Sequence, residues 1–235
     1  MPTRQKIKRA MVVVAHADDA EFGCSGTVAR WCAEGTSVVY VLCTDGSKGS
    51  SDPKISSKEL AKIRKKEQKE AGKILGLTEI VFLDYPDSYL QATLDLRKDI
   101  AREIRRIRPE VLICQNPIRT LSVGRGSGHP DHIAAGESAL SAVFPTARDR
   151  LTFPELLDEG HEPHNVSEVW IMGTDNPDWW VDVSGYMDQA IKSLEQHKSQ
   201  VTGRDVAERL QDSRRRVGEP HGMEFGEAFK RLVFN

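Results

Sequence analysis

Two short stretches concentrate groups that do chemistry. Ala15-His16-Ala17-Asp18-Asp19-Ala20-Glu21 holds one imidazole and three carboxylates. Gly128-His129-Pro130-Asp131-His132 sets two histidines around a carboxylate, just ahead of an expected helix. Taken singly, each has an ordinary explanation. Acids at a helix start cap it and suit its dipole; Asp131 would then be a cap and His129 a surface histidine. Capping does not call for a histidine, however, and one cap needs one acid rather than three. Together the stretches supply what a catalytic zinc site requires: three protein ligands and one open position. His16 and His132 offer neutral imidazoles. Asp19 offers a carboxylate that lowers the charge of the centre without closing it.

The elements must then bring residues 16 and 132 together. Short apolar runs predict strands at Ala10–Ala15, Ser37–Cys43, Glu79–Leu83 and Val111–Gln115. Amphipathic runs between them predict helices at Ala20–Glu34, Ser57–Leu75, Leu94–Arg108 and Asp131–Val143. Gly76 ends the second and Pro109 follows the third; Gly23 and Gly26 allow the first to pack closely on a sheet. Such alternation builds βαβ units with right-handed crossovers. The expected class is α/β: a Rossmann-like open, mostly parallel sheet with helices on both faces. Both stretches then lie at the carboxyl ends of strands.

After Phe144 the pattern loosens. Val169–Met172 and Trp180–Val183 read as short strands, Tyr186–Ser199 and Asp205–Val217 as helices, and Leu232–Phe234 as a last strand. No repeat or composition break divides the chain. Residues 1–235 are expected to form one domain, with a βαβ core over about 8–143 and a C-terminal extension over about 144–235. Loops at 44–56, 84–93 and 116–130 each follow a strand, where open α/β sheets bind ligands. The segment 122–128 (S-V-G-R-G-S-G) reads either as a lid or as a plain flexible connection.

The net charge is −2, from 33 basic and 35 acidic residues, which argues against nucleic acid or an anionic membrane as the main partner. The basic stretches Lys58–Lys73, Arg97–Arg108 and Arg214–Arg216 read as solvated helix faces. The apolar run behind the basic N-terminus, Ala10–Ala15, is too short for a signal-peptide core or a membrane span, so a cytoplasmic protein is expected. Cys24, Cys32, Cys43 and Cys114 form no C-x-x-C pair. No cysteine zinc site follows, and a reducing compartment is expected.

Further pieces complete a pattern. They are T-D-G at 44–46, Arg64-x-x-Glu67, L-D-Y-P-D-S-Y-L at 83–90, Arg108-Pro109, Val181-Asp182-Val183, His197-x-Ser199-Gln200 and Gly226-Glu227-Ala228-Phe229. With A-H-A-D-D-A-E-F at 15–22 and H-P-D-H at 129–132, the chain resembles the PIG-L/LmbE-like family of zinc-dependent N-deacetylases over most of its length. The two histidine motifs are specific as a pair; the others are individually weak. The resemblance implies one Zn2+ per chain on His16, Asp19 and His132, with Fe2+ or Co2+ as alternatives. It implies Asp18 as general base, and His129 as general acid or oxyanion stabiliser, oriented and tuned by Asp131. Arg64 and Asp87 would hold the sugar.

The implied reaction removes an N-acetyl group from a small N-acetylated amino sugar of the GlcNAc type, or its conjugate, by metal-activated water. A homo-oligomer, trimer or hexamer, is implied by resemblance alone. The chemistry agrees: amide hydrolysis needs an activated water, a stabilised oxyanion and a protonated leaving nitrogen. Two departures stand out. Ala17 replaces a proline that in many relatives stiffens the turn, and Gly126-Ser127-Gly128 occupies the stretch where some carry a tyrosine. Elsewhere, His161 and His164 read as surface residues, His197 as a cation suiting a helix end, and Trp179 and Trp180 as core or interface anchors. Two rivals remain. Two histidines and a carboxylate also make a non-haem Fe(II) oxygenase site, which the extra Asp18 and His129 and the βαβ pattern disfavour. A non-catalytic binding homologue would be expected to have lost part of the set, which is intact.

Overall fold

The apolar run at the head of the chain becomes the centre of a sheet. The computed structural model describes residues 6–119, 128–201 and 205–234. Strand β1 (Arg9–Val14) is buried from Ala10 onward, as a strand covered on both faces must be. Its side chains alternate: Ala10, Val12 and Val14 enter one apolar layer, Met11 and Val13 the other. It pairs in parallel with β2 (Ser37–Thr44) and β4 (Val111–Gln115). β3 (Glu79–Tyr85) extends the parallel sheet beyond β2, and β5 (Glu168–Met172) beyond β4. β7 (Gly226–Val233) then runs antiparallel to β5, and β6 (Trp179–Asp182) antiparallel to β7. The order is β3-β2-β1-β4-β5-β7-β6, the α/β sheet expected from the alternation.

The last strand is longer than expected, beginning at Gly226 rather than Leu232. Charge hid it. Lys230 and Arg231 lie within the strand but pair with Asp178 and Glu168, so neither charge is left uncompensated.

Helices α1 (Asp19–Ala33), α2 (Ser57–Leu75), α3 (Leu94–Ile107) and α4 (Pro130–Ser141) fill the crossovers of the first half. A capping box of Ser56 and Glu59 starts α2, and Gly76 at φ 82 ends it. α4 stops before the expected Val143; a π-type turn, Ala142–Thr146, holds Pro145, which cannot continue a helix. α5 (Glu155–Asp158), α6 (Met187–Leu194), α7 (Lys198–Val201) and α8 (Val206–Gly218) belong to the second half. The single helix expected over 186–199 is thus broken. The break lets His197 turn inward, where it is fully buried. Residues 122–127 of the stretch read as lid or connection lie outside the described residues, as do Gly126 and Ser127 of the tyrosine comparison.

α1 is bent at Cys24 (φ −151, ψ 18), which frees backbone donors in mid-helix. Glu227 of β7 takes them: its carboxylate accepts from Gly26 N–H at 3.0 Å and Thr27 N–H at 2.8 Å, and Arg214 of α8 donates to it at 3.0 Å. The glycines allow this approach. A Cβ on Gly23 would lie 2.2 Å from Met172 Sδ, and one on Gly26 2.7 Å from Val183 Cβ.

Candidate active site

β1 ends at a pinned residue. Ala15 N–H donates to Gln115 Oε1 at 2.9 Å, while its carbonyl accepts from Thr44 N–H at 2.9 Å and Thr44 Oγ1 at 2.8 Å. The neighbouring strands β4 and β2 therefore fix where His16 emerges. Asp18 then takes φ 81, a left-handed conformation costly for a non-glycine residue, and α1 begins. His16 N–H donates to Asp19 Oδ2 at 2.7 Å, closing the turn. On the β4 side, His129 caps α4: its Nδ1 accepts from Asp131 N–H at 3.2 Å, and Pro130 takes the first helical position. α4 sits so close to β4 that a Cβ on Gly136 would lie 2.3 Å from Gln115 O.

These constraints bring the two stretches together. The His16 and His132 ring centroids are 5.3 Å apart, and His129 lies 4.8 Å from His16 and 5.2 Å from His132. One nitrogen from each ring falls within 4.8 Å of the others. Asp19 spans two of them, Oδ2 at 3.4 Å from His16 Nδ1 and Oδ1 at 3.1 Å from His132 Nε2. The far side of His16 faces two more carboxylates: Nε2 lies 3.2 Å from Asp131 Oδ2 and 3.2 Å from Asp87 Oδ1. Asp131 thus meets His16 directly and His129 mainly through its backbone N–H; its own carboxylate is 3.9 Å from His129 Nδ1. Ser88 N–H donates to Asp131 Oδ2 at 2.7 Å, while Oδ1 is buried without a hydrogen-bond partner among the described residues.

Arg64 and Asp87 adjoin this cluster. Arg64 Nη1 donates to Gly46 O at 2.9 Å and reaches Asp87 Oδ2 at 3.5 Å, while Lys48 N–H donates to Asp87 Oδ2 at 2.9 Å. On the other side, a cleft of about 260 Å³ is walled by Asp19, His129 and His132 together with Phe22, Ile118 and Met172.

The electrostatics favour positive charge. Burial disfavours the His16 imidazolium, but Asp19 and Asp87 outweigh it and raise the pKa to about 11. Burial likewise works against the Asp19 carboxylate, yet His132 and His16 hold its pKa well below the usual range. For Asp87, burial is outweighed by His16 and the Lys48 N–H, which lower it to about 2. Asp18 behaves oppositely: burial, reinforced by neighbouring Asp19, pushes it up to about 7. Burial and the charge of His16 lower His129.

The model of the PIG-L family, described as GlcNAc-PI de-N-acetylase, matches residues 11–143. The chain belongs to the PIG-L family. Diacetylchitobiose deacetylase of Thermococcus kodakarensis is 34% identical over 194 residues, covering 83% of this chain and 70% of that one. The solved N,N'-diacetylchitobiose deacetylase of Pyrococcus horikoshii superposes with a TM-score of 0.88 at 30% identity, over 97% of this chain and 84% of the other. A conserved protein of Thermus thermophilus gives 0.79 at 30% identity, over 97% and 96%.

Other parts of the PIG-L chain do not join the cleft. His164 Nε2 lies 2.7 Å from Pro109 O. Trp179 and Trp180 line a different cavity with Trp31 and Lys6, and Trp180 stacks on His221 at 4.0 Å. Sequence reading gave no role to the residues beneath Asp18: the buried Glu21, Gln68 and His197, and the half-buried Gln200. The His197-x-Ser199-Gln200 resemblance was the one signal for two of them; nothing local marked Gln68. No helix among the described residues is long and apolar enough to cross a membrane.

Proposed function

We propose that this protein is a zinc-dependent hydrolase that removes the acetyl group from the nitrogen of an N-acetylated amino sugar of glucosamine type, or a conjugate of one. The observation that carries the reading is the convergence of His16, Asp19 and His132, with Asp18 and His129 beside them, in a PIG-L chain. The donor set fits a divalent ion: two imidazoles and a carboxylate whose oxygens reach both rings, with two further carboxylates behind His16. His16, Asp19 and His132 are the proposed ligands. Asp131 accepts from the outer nitrogen of His16 and Asp87 Oδ1 lies 3.2 Å from it, the support that metal-binding histidines ordinarily receive. When bound, the ion supplies Lewis acidity, polarising the amide carbonyl and bringing the pKa of water to about 7.

The protein's own groups do the rest. Asp18, with a pKa near neutrality, takes a proton from the attacking water. His129 Nδ1 accepts from Asp131 N–H, so its proton sits on Nε2 and serves the developing oxyanion and the leaving nitrogen. Arg64 and Asp87, which the resemblance offered for the sugar, are buried away from the cleft, with Arg64 on Gly46 O and Asp87 against His16 and Lys48 N–H, so they support the centre from behind. The diacetylchitobiose deacetylase relative favours hydrolysis over the iron-oxygenase reading.

The test is release of free amine from N-acetylglucosamine and N,N'-diacetylchitobiose. Zinc-loaded protein releases it; chelation stops the release and zinc restores it. Asp18→Asn lowers turnover by about 10²–10⁴-fold while zinc content is unchanged. Full turnover by that variant, or no amine from any N-acetylated sugar, refutes the proposal.

A further inference from the structure

We infer that Gln68 and Gln200 are positioning residues that clamp the Ala17–Asp18 peptide and so aim the Asp18 carboxylate. The inference rests on the reading of Asp18 as the base. A peptide unit is a rigid plane, and this one is gripped at both ends. Ala17 O accepts from Gln200 Nε2 at 3.0 Å; Asp18 N–H donates to Gln68 Oε1 at 3.4 Å. The side chain of Asp18 leaves that plane at φ 81, ψ −22, a conformation a non-glycine residue keeps only where its surroundings impose it. Nothing covalent in the turn does so, since residue 17 is alanine.

The jaws are themselves fixed. Gln68 is fully buried on α2, and its Nε2 donates to Glu21 Oε1 at 2.9 Å, which leaves Oε1 facing Asp18 N–H. Glu21, also fully buried, has its second oxygen 3.2 Å from His197 Nε2, an ion-pair distance without hydrogen-bond alignment. Gln200 sits on α7, and α7 is fastened to α2: Ser199 N–H and Oγ donate to the two oxygens of Glu67 at 2.8 and 2.6 Å. One pair of helices thus carries both jaws. Gln200 Oε1 is buried without a partner among the described residues, a cost borne by a side chain whose Nε2 holds Ala17 O.

The experiment uses full-length zinc-loaded protein with Gln68→Met and Gln200→Met, singly and together. These keep volume but cannot hold the peptide. Each is expected to lower kcat by about 10–100-fold with KM and zinc content near wild type, the scale at which misplacing a reacting group acts; Gln200→Met keeps its melting temperature, while Gln68→Met, which also strips the buried Glu21 of a donor, melts somewhat lower. The double variant should lose less than the product of the single losses, because both glutamines hold one unit. Should a methionine variant fail to fold, Gln68→Asn and Gln200→Asn read the same effect by withdrawing each amide one methylene. Loss of zinc in step with kcat, a fall in the melting temperature of Gln200→Met in step with its kcat, or a rise in KM at unchanged kcat overturns the inference. Asp18→Asn run alongside separates the two readings. If it keeps full turnover, the assignment of the base fails. If it loses turnover while the glutamine variants keep wild-type kcat, only the clamp fails.

Discussion

The two parts of the chain hold α1 by different means. The part up to Ser141 holds it through the sheet: β2 and β4 pin Ala15, and the His16–Asp19 turn closes on itself within four residues. The part beyond holds it through a few polar side chains, with the buried His197 and the half-buried Gln200 beneath its first turn and Glu227 at its bend. The proposed ligands and acid–base groups all come from the first part. The second contributes none of them, yet it determines how firmly α1 can present Asp18 and Asp19. A site can therefore take its reactive groups from one end of a chain and its rigidity from the other.

The contrast breaks most visibly at Glu227. Glu227→Ala leaves the Arg214 guanidinium buried without its carboxylate and strips the cap from Gly26 and Thr27 N–H. Removing one partner of a buried pair costs about 3–5 kcal/mol. Urea unfolding of the zinc-loaded variant should show that loss. A variant as stable as wild type would mean that the bend in α1 needs no cap.

A smaller effect is expected from within the first part. Asp131→Asn keeps shape but removes the charge that faces His16 Nε2. Outer partners of metal-binding histidines are worth about 10–100-fold in metal affinity or activity. Competition of the variant against a zinc chelator measures it. Unchanged affinity would remove Asp131 from the support of His16 and leave it only its backbone bond to His129.

The same division explains what could be read in advance. The βαβ half was legible because each strand is an uninterrupted apolar run and each helix a periodic one. The polar groups of the proposed centre sit within two short stretches joined by the β1–β4 pairing. The second half was legible only in part: β5, β6 and α8 fall within a residue of their expected bounds, but its important polar residues act singly. His197 looked like a cation finishing a helix, but it breaks the helix and is buried against Glu21. β7 looked like three residues because Glu227, Lys230 and Arg231 interrupt its apolar pattern, and only their partners in three dimensions explain them. Gln68 left no trace in spacing, since a buried glutamine on a charged helix resembles any solvated one.

The smallest expected effect concerns pH and belongs to the second part. Burial works against a charged His197, but Glu21, with Asp18 and Glu67 behind it, outweighs burial and raises its pKa above the usual 6.5. A histidine whose folded pKa is raised contributes stability that is complete below its unfolded value and is lost as pH climbs through the folded one. Stability from this pair should therefore be full below about pH 6.5 and decline above it. Contributions from the metal centre also vary with pH, so the informative quantity is the difference in unfolding free energy between wild type and His197→Asn, followed from pH 6 to pH 9. That difference should narrow as pH rises. A constant difference would mean that His197 is held neutral and supports α1 by packing alone, and a widening one would reverse the sign of its pairing with Glu21.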